Sequence, residues 1–290
     1  MNFKDQTILI TGGAQGIGLS LSKKFSSIGA NVIIADKDRQ TPDIAARIGV
    51  FGYVCDVTIE QEINNFITFA EEKFGQVDCF ISNAGMIFVD PSHVASASNT
   101  NWELSWLLHV MQHVFATRRL LPGMLKRKYG YLVNTASAAG LLYQIGDAPY
   151  SASKAAAISF SEGISISHGD DGIRSSVICP QYVASNLLGF NDPSEAKDID
   201  GLLTPDTVAE KVIASMTREE FLILPHPAVK KYLINKVSDY ERWLNGMRKL
   251  KKKSIAQRGS AKPTDILHLC LLYTSPSPRD LSTSRMPSSA

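Results

Sequence analysis

The alternation of short apolar runs with helical stretches is the feature that most restricts how this 290-residue chain can fold. Seven runs have the composition of buried strands, at residues 7–10, 31–35, 50–55, 77–82, 130–135, 173–179 and 220–224. Continuous apolar strands that are joined by helices are typical of a parallel sheet covered on both faces. The pattern therefore predicts an α/β fold with a doubly wound parallel sheet of about seven strands, formed by residues 1–225 as a single domain.

The first apolar run leads directly into a glycine-rich turn. Residues 11–18 read Thr-Gly-Gly-Ala-Gln-Gly-Ile-Gly, and a helical pattern that ends at Gly29 follows them. At this spacing Gly12 permits a tight turn, Gly16 lets the backbone approach a pyrophosphate, and Gly18 allows close packing of the helix. The amino terminus of a helix also attracts anions. The segment therefore predicts a dinucleotide-binding loop.

An acidic residue at the end of the second run indicates which dinucleotide is bound. Asp36 lies roughly 20 residues after the glycines, where a carboxylate can accept hydrogen bonds from both ribose hydroxyls. The same carboxylate repels a 2′-phosphate, so we predict NAD as the cofactor rather than NADP. Lys37 and Arg39 keep NADP as the alternative, because either cation can attract that phosphate.

A serine, a tyrosine and a lysine further along the chain have the spacing of an acid–base group. Tyr150 precedes Lys154 by one helical turn, and Ser137 lies thirteen positions before Tyr150. Phenol has a pKa of about 10 and needs a nearby cation to ionise near neutral pH. The Lys154 ammonium can supply that charge and lower the Tyr150 pKa, while the Ser137 hydroxyl orients a carbonyl or alcohol. The three residues predict hydride-transfer chemistry.

These motifs together resemble the short-chain dehydrogenases/reductases, over about residues 4–225. The resemblance implies a Rossmann-like fold with Thr11–Gly18 as the cofactor loop, Gln15 and Ile17 included, and with Ser137, Tyr150 and Lys154 as the catalytic triad. It also implies further cofactor contacts, from Asp56 and Val57 at the adenine, Asn83, Ala84 and Gly85 beside the central sheet, Lys154 at the nicotinamide ribose, and Pro180, Val183 and Ser185 over the nicotinamide.

Two positions depart from the pattern of that family. His109 stands where the family usually has a fourth catalytic residue, an asparagine that helps to hold a water linked to the lysine. Because an imidazole both donates and accepts hydrogen bonds, His109 is a candidate catalytic residue in the proton relay; the alternative is that it fills the helix core. Gln181 replaces a glycine beside the nicotinamide and removes backbone freedom there.

Apolar side chains around the predicted site indicate the class of substrate. The candidates are Ile87, Phe88, Leu141, Leu142, Leu187, Leu188 and Phe190. They predict a hydrophobic secondary alcohol or ketone that exchanges a hydride with NAD(H). Two alternatives stay open: an NADPH-dependent carbonyl reductase, and a cofactor-binding sensor or scaffold that has lost turnover. The cysteine and histidine residues lack metal-ligand spacing, so no metal site is predicted.

Location and partners follow from what the sequence lacks. No apolar run is long enough to span a bilayer, and the first strand begins too early to leave room for a signal peptide, so we expect a cytoplasmic protein without a membrane span. The basic residues are not accompanied by a recognition motif, and nucleic-acid binding is not expected. We expect a homodimer or homotetramer.

The end of the chain has a different composition. Residues 230–262 carry eleven Lys and Arg against two acids, and apolar residues recur at helical spacing from Leu233 to Met247. They predict a basic amphipathic helical extension over residues 226–262, either docked on the domain or in contact with a partner subunit, an anionic membrane or an acidic substrate tail. Residues 263–290 are predicted to be a disordered tail, in which 270–290 resemble a translated transposase-based sequencing adapter.

Overall fold

The computed structural model describes residues 1–90, 92–190, 192, 194, 199 and 201–274. Its centre is a seven-stranded parallel sheet in the order β3-β2-β1-β4-β5-β6-β7. The strands are β1 (Thr7–Thr11), β2 (Asn31–Asp36), β3 (Phe51–Val54), β4 (Cys79–Ser82), β5 (Gly130–Thr135), β6 (Ile173–Ile178) and β7 (Leu222–Ile223). The predicted Rossmann-like α/β fold is confirmed.

Helices connect the strands and cover both faces of the sheet. They are α1 (Gly16–Ser27), α2 (Thr41–Arg47), α3 (Glu60–Phe74), α4 (Asn99–Trp106), α5 (Gln112–Arg127), α6 (Ala138–Leu142), α7 (Ala148–His168), α8 (Pro205–Thr217), α9 (Ala228–Ser238), α10 (Tyr240–Arg258) and α11 (Pro263–Thr274). A π-helical turn, Leu107–Met111, joins α4 to α5, and a single 3₁₀ turn covers Asn186–Leu188.

The alternation of side chains along the strands divides the core into two layers. Ile8 packs with Leu21 of α1 and Val208 of α8 on one face of the sheet. Leu9, the next residue, packs on the other face in a cluster that includes Phe66 of α3. Since all these side chains are fully buried, each face of the sheet requires its own helical cover.

The order of the strands reverses at β1, which lies between β2 and β4. Thr11 pairs with Ala35 of β2, and Ile10 pairs with Ile81 of β4, so the carboxyl ends of the three strands lie level with one another. In open α/β sheets, ligands bind in the crevice outside the carboxyl ends of the strands at such a reversal. The fold therefore brings the glycine turn, Asp36 and Asn83 to one edge of the sheet.

The carboxyl-terminal region is more ordered than the sequence indicated. Two helices, α9 and α10, form the basic extension, and Asp239 separates them because its carboxylate accepts from the Arg242 amide (2.9 Å) and caps α10. The prediction of disorder is wrong for residues 263–274, which form α11. Ile266, Leu267 and Leu269 of α11 are buried, and this burial offsets the entropy cost of ordering the helix.

Residues 275–290, which contain most of the adapter-like stretch, lie outside the described residues. In the part of the chain that is described, no helix combines the length and the apolar character needed to cross a bilayer.

Candidate active site

The predicted cofactor residues come together around one cleft at the carboxyl edge of the sheet. The cleft has a volume of about 510 Å³. Gly12, Gln15, Gly16 and Ile17 of the glycine loop line it, and so do all the predicted cofactor residues outside that loop. Ser137 lines it as well, whereas His109 is fully buried behind its wall. Folding thus joins positions that are up to 173 residues apart, from Gly12 to Ser185, in a single site.

The glycine loop has the geometry of a cradle for an anion. Gly12 and Gly16 have positive φ angles, +62° and +55°, which glycine adopts at little cost. A Cβ atom on Gly12 would lie 2.8 Å from the Ala84 Cα, and one on Gly18 would lie 2.1 Å from the Gly12 carbonyl oxygen. Gly16 begins α1 and faces open space. A Cβ atom on Gly16 would have the Ser185 Cβ as its nearest neighbour, at 3.7 Å. The loop therefore leaves room at a helix amino terminus, where a pyrophosphate is stabilised.

Two carboxylates line the part of the cleft that lies at the ends of β2 and β3. Asp36 accepts hydrogen bonds from the amides of Ala14 (3.2 Å) and Asp38 (3.3 Å), which hold its side chain beside the glycine loop. Asp56 accepts from both the amide (2.9 Å) and the hydroxyl (2.7 Å) of Thr58. Asp36 is thus oriented by backbone amides of the loops that follow β1 and β2, and Asp56 by Thr58 in the loop that follows β3.

Asn83 ties the ends of three strands together. Its side-chain amide donates to the carbonyl oxygen of Thr11 (3.0 Å), and its Oδ1 accepts from the Thr135 hydroxyl (3.3 Å). The Thr11 hydroxyl accepts from the amides of Asn83 (2.9 Å) and Ala84 (3.1 Å). These bonds fix the ends of β1, β4 and β5 against one another, so the cleft has a rigid floor.

Gln112 completes this floor and was missed by sequence analysis. It is fully buried, accepts from the Thr11 hydroxyl (3.0 Å) and donates to the carbonyl oxygen of Ala84 (2.6 Å). The sequence contains a signal for this role, because a glutamine stands among apolar residues of a core helix. A buried amide needs hydrogen-bond partners, so such a glutamine is expected to bind polar groups nearby.

Ser137, Tyr150 and Lys154 come together in the part of the cleft that lies at the end of β5. Ser137 caps α6, where its hydroxyl oxygen accepts from the Ala139 amide (3.1 Å). Tyr150 and Lys154 share one face of α7, with the Lys154 Nζ atom 5.6 Å from the centre of the Tyr150 ring. Lys154 donates to the carbonyl oxygen of Thr135 (2.7 Å), which anchors the lysine to the end of β5.

Burial dominates the ionisation of this group. It raises the pKa of Tyr150 to about 12, although a hydrogen bond with Ser137 opposes the rise. Burial also lowers the pKa of Lys154 to about 7. The expected lowering of the Tyr150 pKa by Lys154 is therefore absent in this structure, because a low-dielectric site disfavours the phenolate and the ammonium alike.

His109 lies in the π-helical turn with both ring nitrogens engaged. The Met86 amide donates to its Nε2 atom (3.2 Å), so we assign the ring proton to Nδ1, which donates to the Ser153 hydroxyl (2.8 Å). The ring also packs edge-to-face on Tyr150, with 5.2 Å between the ring centres. Burial and the Lys154 charge hold the pKa of His109 well below its usual value. The geometry favours a neutral, positioning imidazole over a proton relay.

His226 is a second residue that sequence analysis missed. Its Nδ1 atom accepts from the Gln181 amide (3.1 Å), and its Nε2–H group donates to the carbonyl oxygen of Tyr182 (2.9 Å). The ring thereby fixes the segment that follows β6, at the position where glutamine replaces glycine. Beyond it, the Asn186 side chain donates to the Gln15 Oε1 atom (2.7 Å) and connects this segment to the glycine loop.

Of the seven apolar candidates for the substrate pocket, three line the cleft, whereas Phe88, Leu141, Leu142 and Phe190 do not. Ile87, Leu187 and Leu188 line the cleft. Leu141 packs into a core cluster behind Ser137, and Phe190 packs beside Tyr182. Pro263 of α11 also lines the cleft and was not predicted. Among the described residues there is no group of three or more His, Cys, Asp or Glu side chains arranged to hold a metal ion.

Comparisons with known proteins agree with this architecture. The family model described as short chain dehydrogenase matches residues 6–196. The meso-2,3-butanediol dehydrogenase of Serratia marcescens is 31% identical over 206 residues, which cover 68% of this chain and 79% of the relative. The 3beta-hydroxysteroid dehydrogenase 2 of Eggerthella lenta is 30% identical over 198 residues, 66% of this chain and 76% of the relative.

A solved short chain dehydrogenase/reductase from Burkholderia phymatum, in complex with NAD, has a TM-score of 0.75 at 24% identity and covers 83% of this chain and 96% of its own. The comparisons place the protein among the oxidoreductases that act on CH–OH groups with NAD(P). Within that class, the chain belongs to the short chain dehydrogenase family.

Proposed function

We propose that the protein transfers a hydride reversibly between NAD(H) and a hydrophobic secondary alcohol or ketone. One observation carries the proposal: Ser137, Tyr150 and Lys154 line the cleft at the end of β5, and the glycine loop and Asp36 line the same cleft at the ends of β1 and β2. A cofactor and a substrate that both bind in this cleft would lie next to each other beside the three side chains. Holding two reactants in a reactive geometry accounts for much of the rate enhancement in enzymes.

The residues present fit a dinucleotide. The open space at Gly16 and the tight approach of Gly12 to Ala84 form the pyrophosphate cradle, and Asp36 would accept from the adenosine ribose. Asp56, Val57, Asn83–Gly85, Lys154, Pro180, Val183 and Ser185 line the remainder of the path. The bound nicotinamide would supply the hydride chemistry, which no protein side chain offers.

Each member of the triad has a separate task in this proposal. Ser137 donates a hydrogen bond to the substrate oxygen, and Tyr150 gives the hydroxyl proton during reduction or takes it during oxidation. Lys154 donates to the nicotinamide ribose, and it stabilises the phenolate only in its ammonium form, which burial disfavours in this structure. His109 acts as a positioning residue, because its two hydrogen bonds hold α7 against the Met86 backbone.

The carboxylate of Asp36 supports NAD over NADP. It lines the cleft and is held by two backbone amides, so a 2′-phosphate there would face a fixed negative charge. The related Burkholderia protein was solved with NAD, which agrees with this choice. Lys37 also lines the cleft, and its positive charge can attract a 2′-phosphate. An NADPH-dependent carbonyl reductase is therefore the second candidate function.

A hydrophobic substrate is supported by the side chains and by the relatives. Ile87, Leu187 and Leu188 provide apolar walls near the triad. The two relatives are named for a butanediol and a 3beta-hydroxysteroid, which both carry secondary hydroxyl groups.

The decisive experiment follows NADH and NADPH formation by absorbance across secondary alcohols of increasing chain length. We expect turnover with NAD, and a loss of about 10²–10⁴-fold in kcat for Tyr150→Phe, because general acid–base catalysis is removed. Binding of NAD, measured by calorimetry, should be retained in this variant. Tyr143→Phe, at an exposed tyrosine outside the cleft, is the matched control.

Two outcomes would contradict the proposal. NAD binding without turnover of any alcohol or ketone would favour the sensor or scaffold, and undiminished activity of Tyr150→Phe would exclude Tyr150 as the acid. A preference for NADPH that Asp36→Ala leaves unchanged would favour the carbonyl reductase.

A further inference from the structure

A second cavity lies between the carboxyl-terminal helices and the segments that precede α7. Its volume is about 410 Å³, and it shares no lining residue with the active-site cleft. Helices α9 and α10 form one wall, and the turn Tyr143–Ala148 contributes to the other. The hydrogen bond from the Asp90 amide to the Gly146 carbonyl oxygen (3.0 Å) joins two segments of that opposite wall.

The body of this cavity is apolar and aromatic. Trp243, Leu244 and Met247 of α10 face Tyr143 and Ile145 across it. Trp243, Leu244 and Met247 are each only partly buried, so they keep apolar surface accessible to a ligand. A pocket of this size and composition is suited to a ring or a short alkyl chain.

Three cations line the same cavity. Arg248 and Lys251 lie one turn apart on α10, and Lys236 of α9 extends over the Trp243 ring with its Nζ atom 4.8 Å from the ring centre. Lys236 also donates to the carbonyl oxygen of Leu141 (2.6 Å). None of the ion pairs in the described part of the chain includes any of the three. Their charge is therefore available to an anion.

Two carboxylates on the opposite wall already have backbone partners. Asp147 accepts from the amides of Tyr150 (3.1 Å) and Phe88 (2.9 Å), and Asp90 accepts from the Ser92 amide (3.2 Å). Neither forms an ion pair with the cations of the described residues. The cavity is thus negative on one wall and positive on the other, which would direct the anionic end of a ligand towards α10.

We propose that this cavity binds a small amphipathic anion, with its apolar part against Trp243 and Met247 and its carboxylate or phosphate at Arg248 and Lys251. The proposal rests on residues outside the active-site cleft, so it can be tested independently of the proposed catalysis. Such an anion occurs either free or as part of a lipid surface. The observations favour the free form, because the apolar side chains form two facing walls of a cavity of about 410 Å³ rather than one continuous flat face.

The experiment uses the full chain with Trp102→Phe and Trp106→Phe, which leaves Trp243 as the single tryptophan of three. Both replaced residues are exposed. Decanoate is titrated below its self-association limit while Trp243 fluorescence is recorded. We expect a saturable change, and about a ten-fold weaker affinity when Arg248→Gln and Lys251→Gln are combined, since charge-assisted hydrogen bonds are the stronger class.

The matched control combines Lys249→Gln with Lys252→Gln, which removes the same charge from α10 at exposed residues that do not line the cavity. It should leave the affinity for decanoate within about two-fold, and decanol should bind at least about ten-fold more weakly than decanoate. Melting curves establish that every variant is folded.

Three results would overturn the proposal: no saturable response to decanoate, equal losses in the two double variants, or equal binding of decanol. Sedimentation with phosphatidylglycerol vesicles distinguishes the two sources of the anion. Vesicle binding that requires Arg248 and Lys251, without any response to free decanoate, would assign the cations to a membrane surface instead.

Discussion

The Lys154 ammonium and the Tyr150 phenolate are both disfavoured by burial in the structure, in which the pKa of Lys154 falls to about 7 and that of Tyr150 rises to about 12. At neutral pH the tyrosine is therefore protonated, and the lysine is close to its own titration point. A group with this environment responds strongly to any added charge, such as that of a bound nucleotide.

This environment makes the folding free energy depend on pH. An unfolded lysine titrates near 10.5, so between about pH 7 and 10 the unfolded chain binds more protons at residue 154 than the folded chain does. The free energy of unfolding should therefore rise with pH in this window, by at most about 1.4 kcal/mol per pH unit for one proton. Lys154→Met should remove this contribution, as urea denaturation without nucleotide between pH 7 and 10 would reveal.

The control for this measurement is Lys249→Met, at an exposed lysine of α10. Its unfolding free energy should follow the wild-type pH profile. If the Lys154→Met profile also runs parallel to the wild type, burial does not shift the lysine as the structure indicates.

The sequence predicts the relative positions of two side chains well when both lie on the same helix or strand, because their spacing then determines whether they share a face. Tyr150 and Lys154 are four positions apart on one helix, so a shared face follows from the helical repeat. Gln112 and His226 could not be assigned in this way, because they bind backbone groups 28 to 45 positions away, at Ala84, Gln181 and Tyr182. Such partners become visible only after the fold is known.

At the scale of elements, Gly18 determines how α1 sits on the loop that precedes it. A Cβ at Gly18 would lie 2.1 Å from the Gly12 carbonyl oxygen, so Gly18→Ala must displace α1 or the loop. We expect a loss of about 1–3 kcal/mol in unfolding free energy, the usual range for overpacking. We also expect NAD affinity to fall at least ten-fold, as measured by calorimetry and denaturation.

Gly163→Ala is the matched control within α7. Apart from the neighbouring backbone of the helix itself, no described atom lies within 4 Å of a Cβ at this position, so alanine should stabilise the helix by about 0.5–1 kcal/mol. Equal effects of the two substitutions would contradict the role assigned to Gly18.

The sequence predicted the existence of the strands better than their limits. The run at residues 7–10 corresponds to Thr7–Thr11, whereas the run at 220–224 contains only Leu222–Ile223 as an edge strand. Apolar composition indicates burial, but the length of a strand depends on how many residues its neighbour can pair with, and β7 has only β6.

At the scale of the whole molecule, α11 connects the end of the chain to the active site. Leu267 is buried against Tyr182, Ala184 and Leu202, next to the segment that lines the cleft. Leu267→Ala should lower the unfolding free energy by about 2–5 kcal/mol, the range for such truncations in a packed core. Chemical denaturation tests this directly.

Val237→Ala is the surface control, because Val237 is 68% exposed and should change stability by less than about 0.5 kcal/mol. A loss for Leu267→Ala as small as that of the control would mean that α11 does not pack on the domain in solution. The sequence could not predict this packing, because three apolar positions in a short segment do not reveal which surface they cover.

The hydrogen bond from Lys236 to the Leu141 carbonyl oxygen spans 95 positions and ends on the last turn of α6, the helix that Ser137 caps. A cation at that end stabilises a helix of only five residues. Selection acting on the carboxyl-terminal extension can thereby alter how firmly the serine is held. A substitution at Lys236 would therefore act on the helix that Ser137 caps without changing any residue that lines the cleft.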